Sequence, residues 1–149
     1  MEIIYENIEK LAYQKNINQK EIADLSSLSR QTINTLLTTK SKNCRLGTIY
    51  KISKALDIEF SELFKRNFNA QLAFDESISK TEYVGIYVQN VNRSIRGSLQ
   101  KSLSSFPGVR ESTISLLLSG KTTNPTLRTL FTISEQLNIE TAKLFQRRN

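Results

Sequence analysis

Residues 18–40 of this chain read NQKEIADLSSLSRQTINTLLTTK, and this stretch predicts two short helices joined by a tight turn. Ala23 provides the small side chain that is needed where the two helices cross closely. Ser27 stands at the turn, where glycine or another small residue is favoured because the φ angle is positive. Ile33 anchors the second helix to the core, which leaves the opposite face of that helix exposed.

The second half of the 149-residue chain repeats the first half at an offset of 81 residues. Residues 32–66 align without a gap to residues 113–147, with 16 identities in 35 positions. The aromatic residue Phe64, for example, corresponds to Phe145. So many identities in one unbroken register predict a duplicated domain.

Each copy reads as five short helices, so we predict an all-α fold of two tandem domains, at residues 1–67 and 81–149. The first helix of each copy is expected to bury an aliphatic stripe: Ile4, Ile8 and Leu11 in the first copy, and Val84, Val88, Val91 and Ile95 in the second. The expected N-caps of the helices that follow are Asn18, Ser29 and Ser98. In the second copy, Pro107 and Gly108 are expected to form the turn before helix three.

The segment between the copies, residues 68–80, does not have the composition of a flexible linker. It contains Phe68, Leu72 and Phe74, and we therefore expect it to pack on at least one domain. Residues 83–88 are rich in β-forming side chains, so a strand pairing with residues 71–74 is an alternative to the first helix of the second copy.

Composition favours a polyanionic partner and argues against several kinds of site. The chain has 21 Lys and Arg against 14 Asp and Glu, a formal net charge of +7, as in proteins that neutralise phosphates. It has no His and a single Cys, so we expect no metal site, no cofactor and no enzymatic activity. With neither a signal-peptide pattern nor a long apolar run, the protein is expected to be cytoplasmic, without membrane contact.

The chain resembles the Cro and lambda-repressor-like (Xre) family of helix-turn-helix DNA-binding proteins. The residues that carry the resemblance are NQKEIADLSSLSRQTINTLLTTK (18–40) and, more weakly, LQKSLSSFPGVRESTISLLLSGKTTNPTLRTL (99–130). The apolar endings LDIEFSELF (56–64) and LNIETAKLF (137–145) also fit the family. The resemblance implies two lambda-repressor-like domains, and proteins of this family commonly bind DNA as two-fold dimers.

The resemblance also implies which residues of the first copy contact DNA. Gln19 opens helix two, where the family touches a phosphate, and the loop after helix three offers basic side chains to the backbone. Arg can bond guanine, and Gln or Asn can bond adenine, from the exposed face of helix three. The expected DNA-binding residues of the first copy are Gln19, Ser29, Arg30, Gln31, Asn34, Thr35, Lys40, Lys42 and Arg45.

The second copy departs from the pattern at several of these positions. Glu111 stands where Arg30 stands, and a carboxylate there meets a negative potential although it can accept from cytosine. Leu116 is apolar where Thr35 is polar. The corresponding DNA-binding residues of the second copy are Gln100, Arg110, Glu111, Ser112, Ser115 and Lys121.

These patterns lead to one main functional hypothesis and one alternative. The main hypothesis is a transcriptional repressor of a phage or plasmid, whose two unequal recognition helices read an imperfect inverted repeat of double-stranded DNA. Such a chain acts either as an internal pseudo-two-fold dimer or as a homodimer with four recognition helices. In the alternative, the second domain binds a protein partner, as in an antitoxin-like or inhibitor protein.

Overall fold

The computed structural model describes residues 1–95 and 109–147, and in these ranges the protein is all-α, as predicted. In the first half the helices are α1 (Glu2–Gln14), α2 (Gln19–Ser26), α3 (Arg30–Thr39), α4 (Leu46–Ala55) and a 3₁₀ helix (Phe60–Phe64). In the second half they are α5 (Lys80–Ser94), α6 (Glu111–Leu118), α7 (Leu127–Leu137) and α8 (Thr141–Leu144). None of the described helices is long and apolar enough to cross a membrane.

The α2–turn–α3 unit forms for the reasons that its sequence suggests. Asn18 caps α2 by accepting from the Glu21 backbone N–H, and the Glu21 carboxylate reaches back to the Asn18 N–H. Ser27 ends α2 with a φ of 61°, the left-handed conformation expected of the turn. Ser29 then begins α3 by accepting from the Thr32 N–H at 3.0 Å.

Residues 83–88 lie within helix α5, so the strand alternative for this segment is wrong. The predicted buried stripe of this helix is right at Val84, Val91 and Ile95 but wrong at Val88, which is half-buried. Tyr87 is buried instead, because its ring packs 5.1 Å from the Phe145 ring and its hydroxyl donates to the Leu130 carbonyl at 2.6 Å. A tyrosine can occupy such a site when its hydroxyl finds a partner.

The two halves share one hydrophobic core. The Phe64 and Phe145 rings, which correspond under the 81-residue offset, lie 5.0 Å apart, and Phe64 also stacks on Phe131 at 5.9 Å. Phe60 adds an edge-to-face contact with Phe145 at 5.2 Å. The aromatic cluster therefore joins the end of the first half to the core helices of the second half.

Two asparagines make the same hydrogen bonds in the two halves. The Asn7 side-chain amide donates to the carbonyls of Leu63 and Lys65, at 2.9 and 2.7 Å. The Asn90 amide donates to the carbonyls of Leu144 and Gln146, each at 2.9 Å. Each asparagine is buried in the first helix of its half. Its two hydrogen bonds attach the end of the last helix in that half to the first helix.

The backbones of the two halves also pair directly, through the loops that precede α4 and α7. The Leu46 N–H donates to the Pro125 carbonyl at 2.8 Å, and the Leu127 N–H donates to the Cys44 carbonyl at 2.9 Å. These two bonds are equivalent under the 81-residue offset, and they flank an isolated antiparallel bridge between Arg45 and Thr126. The first N–H groups of α4 and α7 are thus satisfied by carbonyls of the other half.

The segment 68–80 lies against the first half. The Glu59 N–H donates to the Leu72 carbonyl at 2.8 Å, and the Tyr50 hydroxyl donates to the Ile78 carbonyl at 2.7 Å. Phe74 is half-buried with its ring 5.2 Å from that of Tyr50, whereas the Leu72 side chain is 45% exposed. The expected cap Ser98 and the expected turn at Pro107 and Gly108 lie outside the described residues.

Candidate nucleic-acid interface

Helix α3 is held against the core by one face only. Ile33 is 1% exposed, Leu36 is 9% exposed, and both lie on the side of α3 that packs on α2. Ala23 of α2 is 4% exposed, as expected of a small residue at a close helix crossing. The remaining face of α3 is therefore directed away from the core, in a fixed orientation.

The side chains on this outer face are polar and exposed. They are Arg30, Gln31, Asn34 and Thr35, and the structure brings all four predicted residues together on α3. Ser29 is exposed beside them, but its hydroxyl also caps the helix and lies 2.7 Å from the Thr32 hydroxyl. The face therefore presents a guanidinium and two carboxamides, which are the groups that pair with base edges in the major groove.

The predicted phosphate contacts lie at the start of α2 and after the end of α3. Gln19 is half-buried at the start of α2, and Lys20 beside it is exposed. Lys40 ends α3 with a φ of 50° and is half-buried, while Lys42 in the following loop is exposed. These residues offer donors and positive charge of the kind that bonds a phosphate backbone.

Arg45 has a structural bond that its sequence context does not reveal. Its Nη1 donates to the Asn124 carbonyl of the second half at 3.0 Å, although the side chain is exposed. The same asparagine accepts the Gly47 N–H on its Oδ1 at 2.8 Å. Arg45 therefore helps to join the halves, and any contact that it makes with a phosphate starts from this anchored position.

In the second half, α6 presents the corresponding face. Arg110, Glu111, Ser112, Ser115 and Lys121 are all exposed, and Leu116 is 46% exposed among them. Ile114 and Leu117 are buried and hold the helix, as Ile33 and Leu36 do in α3. Gln100 lies outside the described residues.

Sequence reasoning missed Arg128, in the first turn of α7. Arg128 is half-buried in a cleft between the two halves, and its backbone N–H donates to the Lys42 carbonyl at 3.0 Å. The first copy has Gly47 at the corresponding position, so the alignment of the copies offered no signal there.

Comparison with known proteins identifies one domain. Residues 7–69 match the family model of the Cro/C1-type HTH DNA-binding domain, which is less than half of the chain. The chain has no significant match among curated proteins or among solved structures. The matched range includes α2, the turn at Ser27, α3 and the basic loop that follows it.

Proposed function

We propose, from a Cro/C1-type helix-turn-helix domain in the first half, that the protein is a sequence-specific DNA-binding transcriptional regulator. The observation that carries the proposal is the outer face of α3, where Arg30, Gln31 and Asn34 are exposed on a helix held by Ile33 and Leu36. A rigid helix with such side chains fits the major groove and can distinguish base pairs there.

We also propose that the second half is a duplicate domain and that the two halves form an internal pseudo-two-fold dimer. Two contacts between the halves support the proposal, because each relates residues that correspond under the 81-residue offset. They are the Arg45–Thr126 bridge with its flanking hydrogen bonds and the Phe64–Phe145 pair. The matching bonds of Asn7 and Asn90 add support, because the Leu63 and Leu144 carbonyls that accept them correspond under the same offset. Such an arrangement reads an inverted repeat with one chain.

The two proposed recognition helices differ in chemistry, so the operator is an imperfect inverted repeat. Arg30 and Asn34 of α3 correspond to Glu111 and Ser115 of α6. A guanidinium selects guanine, whereas a carboxylate accepts a hydrogen bond from cytosine. By its resemblance to compact regulators of mobile elements, we assign the protein as a cytoplasmic repressor in a phage or plasmid.

Selection of bound DNA from a random pool by the full chain tests this function. The expected result is enrichment of one sequence, followed by lower expression from a promoter that overlaps it when the protein is present. Binding to all DNA with equal affinity would contradict sequence-specific regulation. Higher expression from the promoter would contradict the assignment as a repressor.

A second candidate function rests on Leu116. This side chain is 46% exposed on the outer face of α6, next to Ser115 and one turn after Ser112, where a DNA-reading helix more often presents polar groups. An exposed apolar side chain on such a face suits a protein partner of the antitoxin-like or inhibitor kind. Leu116→Ser leaves operator binding unchanged if α6 serves such a partner, and alters the preferred half-site if α6 reads DNA.

A further inference from the structure

A cleft lies between the loop after α3 in the first half and helices α6 and α7 in the second half. Its volume is about 540 Å³, which is in the range of small-ligand clefts. The first half contributes Asn43 and Arg45, and the second half contributes Arg110 and Arg128. The cleft thus has three guanidinium groups from two parts of the chain.

The other described residues that line the cleft are polar hydroxyl groups or apolar, and none of them is acidic. Thr113, Thr126 and Thr129 supply hydroxyls, with the Thr126 and Thr129 oxygens 3.1 Å apart. Glu111 follows Arg110 in the sequence and begins α6, but its side chain does not line the cleft. Three positive charges without a lining carboxylate favour an anion in the cleft.

Arg128 is the residue that points most directly to such a ligand. Its side chain is half-buried, and its Nε is buried without a hydrogen-bond partner in the described part of the chain. Buried donors in proteins are nearly always satisfied, and leaving one unpaired is costly. An oxyanion in the cleft satisfies this donor once the Arg128 side chain turns toward it, and it neutralises part of the local charge.

We propose that this cleft binds a phosphate group, with Arg128 as its central ligand and Arg45 and Arg110 at its rim. Phosphate suits the donor set because planar guanidinium groups bond two of its oxygens at once and hydroxyls reach the others. In the first half, Gly47 and Ser29 stand where Arg128 and Arg110 stand, so the first half does not repeat these two arginines.

The phosphate has two possible sources with the same chemistry. One is the backbone of bound DNA, because the cleft lies between the loop after α3 and the outer face of α6. The other is a free phosphorylated molecule. Binding of a DNA phosphate in the cleft rests on the proposed function, whereas binding of a free phosphorylated molecule does not.

Two measurements on the full chain distinguish these sources. In the first, inorganic phosphate is titrated at constant ionic strength, and the Arg128 Nε–H resonance is followed by NMR. A free-phosphate site gives a saturable shift, and Arg110→Met weakens the binding about tenfold or more. In the second, the salt dependence of operator binding is compared for the wild type and Arg128→Met. A DNA phosphate in the cleft flattens the log–log slope by about 0.9.

Arg66→Met is the matched control, because Arg66 is exposed and does not line the cleft. It leaves both measurements unchanged. A thermal melt checks that Arg128→Met is folded, and Arg128→Lys provides a variant that keeps the charge but loses the Nε donor. Either the saturable shift or the flattened slope supports the phosphate site. Both results together indicate that the cleft binds free phosphate as well as a DNA phosphate.

The site is overturned if the Arg128 resonance does not respond to phosphate and neither Arg128 variant changes the slope. That outcome leaves the proposed function intact when the wild type still binds its operator. A wild-type protein that binds no DNA but shows the saturable phosphate shift contradicts the proposed function and supports the site.

Discussion

Arg45 and Thr126 lie opposite each other in an antiparallel bridge, and they occupy corresponding positions in the two halves of the chain. On either side of the bridge, the N–H groups that begin α4 and α7 donate to carbonyls of the opposite half. The bridge lies in the loops that follow α3 and α6. The proposed recognition helices are therefore joined through hydrogen-bonded backbone rather than through a flexible linker.

The first prediction is that the two halves unfold together. Phe64 is 5% exposed and contacts the Phe131 and Phe145 rings of the second half. Phe64→Ala should lower the free energy of unfolding by about 3–5 kcal/mol because it leaves a cavity in the shared core. Urea unfolding followed by circular dichroism should remain a single transition, shifted as a whole.

Leu25→Ala is the control for this variant, since the Leu25 side chain is 61% exposed. Its effect should stay within about 0.5 kcal/mol. Two separate transitions, with only one of them moved by Phe64→Ala, would show that the halves are independent.

The second prediction concerns base reading by α3. Arg30 and Gln31 are exposed at the start of this helix. The double variant Arg30→Ala and Gln31→Ala should lose about 1–3 kcal/mol of operator affinity per bidentate contact. Affinity for scrambled DNA should fall much less, and the melting temperature should hardly change. Fluorescence anisotropy with both DNAs measures this, and an equal loss on the two would mean that these side chains do not read bases.

The third prediction compares phosphate contacts in the two halves. Lys40 and Lys42 follow α3, whereas Lys121 is the corresponding lysine after α6. Replacing Lys40 and Lys42 by Ala should flatten the log–log salt dependence of binding by about 1.8, and Lys121→Ala by about 0.9 at most. Arg45 is left in place because its bond to the Asn124 carbonyl joins the halves.

Lys143→Ala serves as the charge-matched control, since Lys143 is exposed on α8. Its slope should equal that of the wild type. A slope change after Lys121→Ala as large as that of the double variant would show that the two halves contribute equally.

The fourth prediction uses Cys44 as a probe of the backbone pairing between the two halves. Cys44 is 7% exposed, its carbonyl accepts the Leu127 N–H, and burial raises the pKa of its thiol. A raised pKa keeps the thiol protonated at neutral pH, and the thiolate is the form that reacts. Alkylation of the folded protein should therefore be slow, and it should accelerate along the urea unfolding curve.

A Leu25→Cys variant in a Cys44→Ser background gives the reference rate for an exposed thiol. If Cys44 in the folded protein reacts as fast as this reference, the paired loops before α4 and α7 separate readily. The halves would then not be held as the backbone pairing implies.

Much of the fold follows from local patterns. Asn18, Ser27 and Ser29 act within a few residues of their own positions, so their capping and turn roles are predictable from the sequence. The outer face of α3 follows as well, because Ile33 and Leu36 determine which side of the helix is buried.

The features that were missed depend on contacts between distant parts of the chain. Tyr87 replaces Val88 in the buried stripe because its hydroxyl reaches the Leu130 carbonyl, which spacing along α5 cannot reveal. The anchored guanidinium of Arg45 depends on Asn124, 79 residues away. Arg128 has no charged counterpart in the first half, so its place in the cleft becomes visible only when the halves are packed together.

The central claim is that one chain reads two half-sites through the proposed pseudo-two-fold arrangement. The most direct test is the mass of the complex on the selected operator, measured by native mass spectrometry, with footprinting of the same complex. The account predicts one chain per operator, protecting two unequal half-sites in inverted orientation about one helical turn apart. Two chains per operator, or protection of a single half-site or of a direct repeat, would contradict it.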